Sequence, residues 1–206
     1  MIGQPSYCGI ILATGPMSRL GADVALCPWP PGALTGTVLS AHMEALAPRT
    51  EMIMVVTGEN EVALRGVVYA RAGYIVRDPN PSPTQFSSLR FAAQAVLDRG
   101  HDGAVILSAE RAPVKKETIA RLQDSFAEQS EENVWGVLPS YQQETGLPLV
   151  IGRDMIEVLL RSQPLSSLAE VVATHAGKLR SVEVDDSNVI AVINPESIGP
   201  AEVHLT

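Results

Sequence analysis

The chain has few cysteines and few aromatic residues, and its basic residues are outnumbered by its acidic ones. Its two cysteines, Cys8 and Cys27, are too few for a disulfide framework or a cysteine-based zinc site, so we expect both to be reduced thiols. Lys and Arg number 15 against 23 Asp and Glu. The resulting net charge of -8 repels phosphate backbones and argues against nucleic acid as the main partner.

Long apolar runs are also missing. The longest, such as residues 8–13 and 52–56, fall far short of the roughly 20 residues of a membrane-spanning helix, so no membrane partner is expected. No basic residue precedes the first apolar run and no small-residue cleavage site follows it, and we therefore expect a cytoplasmic protein. The length of 206 residues and a hydrophobic content of 46% predict a single globular domain over residues 1–206.

Short apolar runs alternate along the chain with segments whose apolar residues recur every three to four positions. This alternation is typical of βα units around a parallel sheet and predicts an α/β fold. The predicted strands cover residues 7–13, 51–57, 73–76, 103–107, 133–138, 147–151, 178–184 and 189–193. The predicted helices cover residues 35–46, 59–67, 84–98 and 115–128, with another beginning at a capping box of Ser167 and Glu170 and ending before Gly177.

The exit of the first strand is the most informative segment, with Leu12-Ala13-Thr14-Gly15 followed by Ser18-Arg19-Leu20-Gly21. A buried strand that runs directly into a glycine-bearing loop places backbone N–H groups and one cation at the carboxyl edge of the sheet. The glycine spacing matches neither the dinucleotide fingerprint nor the P-loop. The segment predicts a phosphate cradle, with ordinary turn chemistry as the alternative.

These residues resemble the LAAG-x-x-S-R-M-G loop of the MobA-like nucleotidyltransferases, which make molybdenum-cofactor dinucleotides. Further segments follow in the family's order. Asp78-Pro79 with Ser87-Ser88-Leu89 resembles the N-P-x4-G-x2-S-S-L stretch of the cytidylyltransferase branch. Other segments also resemble family motifs. Residues 31–39 resemble the G-K-P-L segment, residues 55–58 resemble V-V-T-G, and residues 146–148 resemble G-H-P. Residues 184–186 and 194–196 resemble the closing D-D and T-P-E patterns.

The resemblance implies a three-layer α/β/α, Rossmann-like nucleotidyltransferase fold with a mostly parallel sheet. It implies transfer of a nucleoside monophosphate from a nucleoside triphosphate, CTP rather than GTP, to a phosphorylated acceptor such as molybdopterin, with Mg²⁺ on the phosphates. Arg19 and Glu110 would be the catalytic residues, with Glu110 as the metal ligand. The residues implied to hold the nucleotide are Leu12, Ala13, Gly15, Ser18, Arg19 and Ser88.

The chain departs from the family pattern at several charged positions. Val24 stands where the family has its phosphate-binding lysine, and Ile193 where it has a second metal aspartate. Leu147 replaces the histidine of G-H-P and Thr84 the glycine before S-S-L. Arg111 follows Glu110 and is expected to compete for the charge of that carboxylate.

These departures leave a second hypothesis open. In it the chain is a degenerate family member that binds a nucleotide, a pterin or a protein partner without turnover, as a regulatory or accessory protein. A sugar-phosphate nucleotidyltransferase is a third option, because those enzymes share the strand-loop start. The sequence does not decide between these hypotheses, nor does it give the oligomeric state.

Overall fold

The computed structural model describes residues 5–14, 23–79, 84–129, 133–163 and 165–194. The strands in this part of the chain form one eight-stranded sheet. They are β1 (Tyr7–Ala13), β2 (Met52–Thr57), β3 (Tyr74–Arg77), β4 (Gly103–Ser108), β5 (Gly136–Tyr141), β6 (Glu144–Thr145), β7 (Leu149–Gly152) and β8 (Leu179–Glu183). The helices are α1 (Val38–Leu46), α2 (Glu61–Tyr69), α3 (Gln85–Asp98), α4 (Lys116–Glu128), α5 (Arg153–Arg161) and α6 (Leu168–Thr174).

The sheet is mixed, with strand order β3-β2-β1-β4-β7-β5-β6 and β8 beside β5. Strands β3, β2, β1 and β4 run parallel, whereas β7 is antiparallel to both of its neighbours. In the parallel part, Ala13 of β1 is in register with Thr57 of β2, and Leu12 with Ser108 of β4. The carboxyl ends of the three strands therefore meet at one edge, where α/β sheets bind ligands.

Helices cover both faces of the sheet, because successive strand residues point to opposite sides. In β1, Ile11 and Ala13 pack into a core cluster with residues of α1, α2 and α4. Ile10 and Leu12 pack into a second cluster with residues of α3, α5 and α6. The predicted three-layer α/β/α, Rossmann-like fold is confirmed, and burial on both faces explains why these strands are continuous apolar runs.

Several helices begin with a reciprocal pair of hydrogen bonds between the residue before the helix and the third helical residue. Each pair satisfies backbone N–H groups that otherwise lack a partner at a helix start. The predicted pair Ser167 and Glu170 is confirmed. The others are Thr37 with Ser40 and Thr84 with Ser87. Thr84, which the resemblance places at the family's glycine, thus serves as the cap of α3.

The secondary structure departs from the prediction at several places. The strand predicted at 189–193 is absent: Ser187–Val189 is a 3₁₀ helix, and Val192 forms a single bridge to Arg111. Asp186 accepts the backbone N–H of Asn188 at 3.2 Å, and this cap turns the chain where a strand would have to extend. Helix α5 and strand β6 were not predicted, and α6 ends at Thr174, before a 3₁₀ turn over Ala176–Lys178. Within the ranges given above, no helix combines the length and apolar character needed to cross a membrane.

Candidate functional site

The carboxyl ends of β1 and β4 open onto a small cavity. Its walls are Leu12 and Ala13 at the end of β1, Ala109 and Glu110 after β4, and residues 23–25 of the segment that leads to α1. The topology thus brings together Leu12, Ala13 and Glu110, three of the predicted site residues. It adds a carboxylate that the sequence analysis did not select, that of Asp23.

Asp23 is held in place by hydrogen bonds from two directions. One carboxylate oxygen, Oδ1, accepts the backbone N–H of Ala25 at 2.9 Å, and the other, Oδ2, accepts Nδ2 of Asn60 at 2.5 Å. Nδ2 of Asn60 also donates to the carbonyl oxygen of Ala13 at 2.8 Å, and its Oδ1 accepts the N–H of Gly58 at 3.1 Å. Asn60 therefore ties the ends of β1 and β2 to the carboxylate of Asp23.

Sequence reasoning missed both Asp23 and Asn60. Each carries a local signal, because aspartate and asparagine are favoured at helix caps and in turns. Asp23 caps a 3₁₀ turn over Val24–Leu26, and Asn60 lies just before α2. Nothing in those signals indicates that the two side chains meet across the edge of the sheet.

The backbone around Glu110 is fixed by its neighbours. Its N–H donates to Oγ of Ser108 at 3.3 Å, and its carbonyl oxygen accepts the N–H of Ile193 at 2.9 Å. Oγ of Ser108 also accepts Nε2 of Gln85 at 3.0 Å, which links the start of α3 to the end of β4. The side chain of Glu110 is only half-buried, so its carboxylate is open to the cavity.

The expectation that Arg111 competes for the charge of Glu110 is wrong. The guanidinium Nη1 of Arg111 donates instead to the carbonyl oxygen of Ile190 at 3.1 Å. In the part of the chain that the structure describes, no Lys, Arg or His lies within ion-pair distance of Glu110. The carboxylate of Glu110 therefore has no cationic partner among the described residues.

Val24 and Ile193 belong to one apolar cluster beside the cavity. Its buried members are Cys27, Val38, Ala112 and Ile193, and Val24, Trp29 and Ala191 pack against them. Val24 also lines the cavity, and the N–H of Ile193 is bonded to Glu110. The two positions at which the resemblance expects a lysine and an aspartate thus both lie beside Glu110, within one cluster, but they hold apolar side chains.

Ser88, predicted to lie near the nucleotide, is fully buried in α3. Its hydroxyl donates to Oδ2 of Asp78 at 2.8 Å, and the hydroxyl of Ser87 lies 3.3 Å from the same oxygen. Asp78 is itself only 7% exposed. Ser88 therefore orients a buried carboxylate at the start of α3, and its role toward a nucleotide stays a prediction.

A second cavity, of about 250 Å³, lies between the starts of α3 and α6. Leu12 lines this cavity as well as the first one, so the two are neighbours across the end of β1. Its wall is mostly apolar with a polar rim. The lining residues are Leu12, Thr84, Gln85, Phe86, Leu89 and residues 165–168.

The remaining predicted site residues, Gly15, Ser18 and Arg19, lie outside the described residues. Their assignment to phosphate binding therefore stays a prediction. Cys8 and Cys27 are free and buried, as expected. Burial raises the pKa of the Cys8 thiol to about 12, which excludes it as a nucleophile near neutral pH.

The acidic residues fit a metal ion that is bound together with phosphate. No group of three or more His, Cys, Asp or Glu side chains within the described ranges is close enough to hold a metal by itself. Mg²⁺ needs only one or two carboxylates when a substrate's phosphate oxygens complete its coordination. Asp23 and Glu110 on one cavity meet that requirement, so the donor set suits a metal that arrives with a nucleotide.

Comparisons with solved structures find the same fold in other proteins. Rv0371c from Mycobacterium tuberculosis H37Rv matches with a TM-score of 0.72 and 19% identity, over 95% of this chain and 96% of that one. The complex of Rv0371c with manganese matches with a TM-score of 0.69 and 19% identity, over 93% and 95% of the two chains. The 4-diphosphocytidyl-2C-methyl-D-erythritol synthase of Anaerococcus prevotii has a TM-score of 0.68 and 13% identity, over 95% and 93%.

At these identities the solved structures establish the fold alone. A search of curated proteins finds no match. The family model described as the MobA-like NTP transferase domain matches residues 9–184, which is most of the chain. The protein therefore belongs to the MobA-like NTP transferase family.

Proposed function

We propose that the protein transfers a nucleoside monophosphate, cytidylyl by preference, from a nucleoside triphosphate to a phosphorylated acceptor. The observation that carries the proposal is the cavity at the ends of β1 and β4. It joins Leu12 and Ala13 to two carboxylates, Asp23 and Glu110, in a chain of the NTP transferase family.

The second cavity is suited to the base of the nucleotide. Leu12, Phe86 and Leu89 supply apolar surface for a flat ring, and Thr84 and Gln85 supply hydrogen-bonding groups at the rim. Because Leu12 lines both cavities, a base in this one leaves the phosphates directed toward Glu110. The resemblance of the Ser87-Ser88-Leu89 segment to the cytidylyltransferase branch supports CTP over GTP, and the proposed acceptor is molybdopterin.

Asp23 and Glu110 would hold a divalent metal ion, Mg²⁺ or Mn²⁺, together with the phosphates. When bound, such an ion neutralises negative charge on the phosphate oxygens. Asn60 fixes the Asp23 carboxylate, and Ser108 fixes the backbone of Glu110. Arg19, with Ser18 and Gly15, is proposed to bind the phosphates from the segment that follows β1 in the sequence.

Pyrophosphate release tests the proposal. The protein is incubated with CTP or GTP, Mg²⁺ or Mn²⁺, and molybdopterin, and Glu110→Gln serves as a variant of equal size that lacks the charge. We expect release with CTP to exceed release with GTP, and the variant to lose most of it. No release above a protein-free control with any nucleotide would refute the transferase.

The apolar cluster of Val24 and Ile193 favours one alternative, a family member that binds its ligand without turnover. Thermal stability separates the two, since a ligand at 100 times its dissociation constant stabilises a fold by about 2.7 kcal/mol. A transferase with the proposed site is stabilised by CTP only when the metal is present. A binding protein is stabilised by CTP with or without metal and releases no pyrophosphate.

A further inference from the structure

His42 is a buried histidine that the proposed reaction does not use. It lies on α1 with no exposed surface, and its Nε2 is 3.0 Å from the carbonyl oxygen of Arg111. A carbonyl oxygen can only accept, so Nε2 carries the proton and Nδ1 is left with a lone pair. Nδ1 is buried and has no hydrogen-bond partner among the described residues. Burial lowers the pKa of the ring to about 4, so the ring is neutral near pH 7.

Stability alone does not account for this side chain. A buried acceptor without a partner destabilises a fold by at least as much as one neutral hydrogen bond stabilises it. An apolar side chain of similar size would fill the same space without the unpartnered nitrogen. What histidine adds is one directional bond to one backbone atom, and that bond lies one residue from Glu110.

Together with other hydrogen bonds, this bond holds the segment that carries Glu110. On one side, this segment is bonded to residues near the end of the described chain: the carbonyl of Glu110 accepts from Ile193, and the N–H of Ala112 donates to Ala191. On the other side, His42 of α1 holds the carbonyl of Arg111. The peptide group between Arg111 and Ala112 is thus fixed from two directions, one residue after Glu110.

We propose that His42 is a positioning residue which, through the Arg111 carbonyl, fixes the Glu110 carboxylate for a divalent metal ion. The inference rests on the proposed function, because that function assigns Glu110 to the metal. Groups that orient metal ligands typically change metal affinity by about 10–100-fold when they are removed.

Two substitutions separate the hydrogen bond from the packing. His42→Met keeps the volume but has no donor, whereas His42→Gln carries a side-chain N–H with a reach close to that of Nε2. Gln123→Met is the matched control, since the 4% exposed Gln123 donates Nε2 to the carbonyl oxygen of Arg49 at 3.0 Å. Both residues lie near Tyr7, at the amino end of β1. The control substitution removes the same kind of bond far from Glu110.

Binding of Mn²⁺ in the presence of CTP is the first measurement. We expect His42→Met to weaken Mn²⁺ binding by about tenfold or more, and His42→Gln and Gln123→Met to stay within about threefold of wild type. CTP affinity without metal should be the same in all four proteins. A folded His42→Met protein with wild-type Mn²⁺ affinity overturns the inference.

Amide hydrogen exchange is a second readout that needs no metal. In His42→Met the N–H groups of Ala112 and Ile193 should exchange about tenfold faster than in wild type, and in Gln123→Met they should not change. If His42→Met does not fold, His42→Asn replaces it, because its shorter amide cannot reach the Arg111 carbonyl. Unchanged exchange at Ala112 and Ile193 in the variant would refute the role of His42 in holding the Glu110 segment. A wild-type protein that binds no Mn²⁺ with CTP refutes the proposed function instead, and the exchange experiment still decides whether His42 holds this segment.

Discussion

Restoring charge at positions 24 and 193 tests whether the apolar cluster occupies the family's phosphate and metal positions. Ile193 is 7% exposed, so Ile193→Asp removes a buried side chain and inserts a carboxylate, at an expected cost of about 3–5 kcal/mol of unfolding free energy. Val24 is only half-buried and lines the cavity with Glu110. Val24→Lys can keep its aliphatic stem on the cluster while the ammonium group reaches the cavity, so we expect a cost of about 1 kcal/mol.

The double variant should lose less stability than the two single costs predict. Val24 and Ile193 belong to one apolar cluster, so we expect the new lysine and aspartate to interact. Coupling between interacting residues is worth about 0.5–3 kcal/mol. Denaturant unfolding of the wild type, both single variants and the double variant gives this coupling directly. We expect it to be favourable and near 2 kcal/mol, about the middle of that range.

Nucleotide binding supplies the functional half of the test. A charge-assisted bond from the new lysine to phosphate contributes about 1.5–3 kcal/mol, which is about one to two decades of CTP affinity by calorimetry. Tyr69→Lys at the far end of α2, where the tyrosine is 60% exposed, adds the same charge away from the cavity and should leave CTP affinity nearly unchanged. Ile193→Asp alone should bind CTP no better without metal, because a bare carboxylate repels phosphate. Zero coupling together with unchanged CTP affinity in Val24→Lys would refute the placement of both residues.

Three further outcomes follow from the described contacts. Glu110→Gln should weaken Mn²⁺ binding in the presence of CTP by at least about tenfold, and an unchanged Mn²⁺ affinity contradicts the role of Glu110 as a metal ligand. The denaturation midpoint should stay nearly unchanged, because Glu110 is half-buried and forms no ion pair with a described residue. Burial lowers the pKa of His42 from 6.5 to about 4, so as the pH falls the histidine is protonated in the unfolded chain before it is protonated in the folded one. The unfolding free energy should therefore fall by about 3 kcal/mol between pH 6.5 and pH 4 through this residue alone. His42→Met should lack that part of the loss, and equal pH profiles of unfolding free energy would contradict the assignment. Ser88→Ala removes a 2.8 Å donor from buried Asp78 and should cost about 1–3 kcal/mol in denaturant unfolding, whereas a cost near zero means that Asp78 does not depend on Ser88.

Much of the fold could be predicted from local sequence pattern, and the exceptions have physical causes. Strand β1 was predicted with its observed bounds because a strand buried on both faces must be continuously apolar. Residues 189–193 show the same pattern, but the cap at Asp186 turns the chain before they can extend. Helix α5 was missed because it starts directly after β7, without a loop, although Met155, Ile156 and Leu159 form its buried stripe.

The residues of the candidate site could be predicted only where they belong to a motif of the family. Glu110 was selected because it follows the fourth predicted strand, at the place where the family motif has a metal-binding aspartate. Asp23 and Asn60 were missed because their hydrogen bond joins residues 37 positions apart, and no local periodicity encodes such a contact. The same holds for His42, whose bond to Arg111 spans 69 positions.

The position of Leu12 on both cavities has a consequence for motion. The first cavity borders the layer of α1 and α4, and the second lies between α3 and α6 in the opposite layer. A ligand that contacts both cavities would cross the carboxyl edge of the sheet and touch both helical layers at once. Its binding would restrain sliding of one layer against the other, so protection from exchange would rise in α1 and α3 together, far beyond the residues in contact.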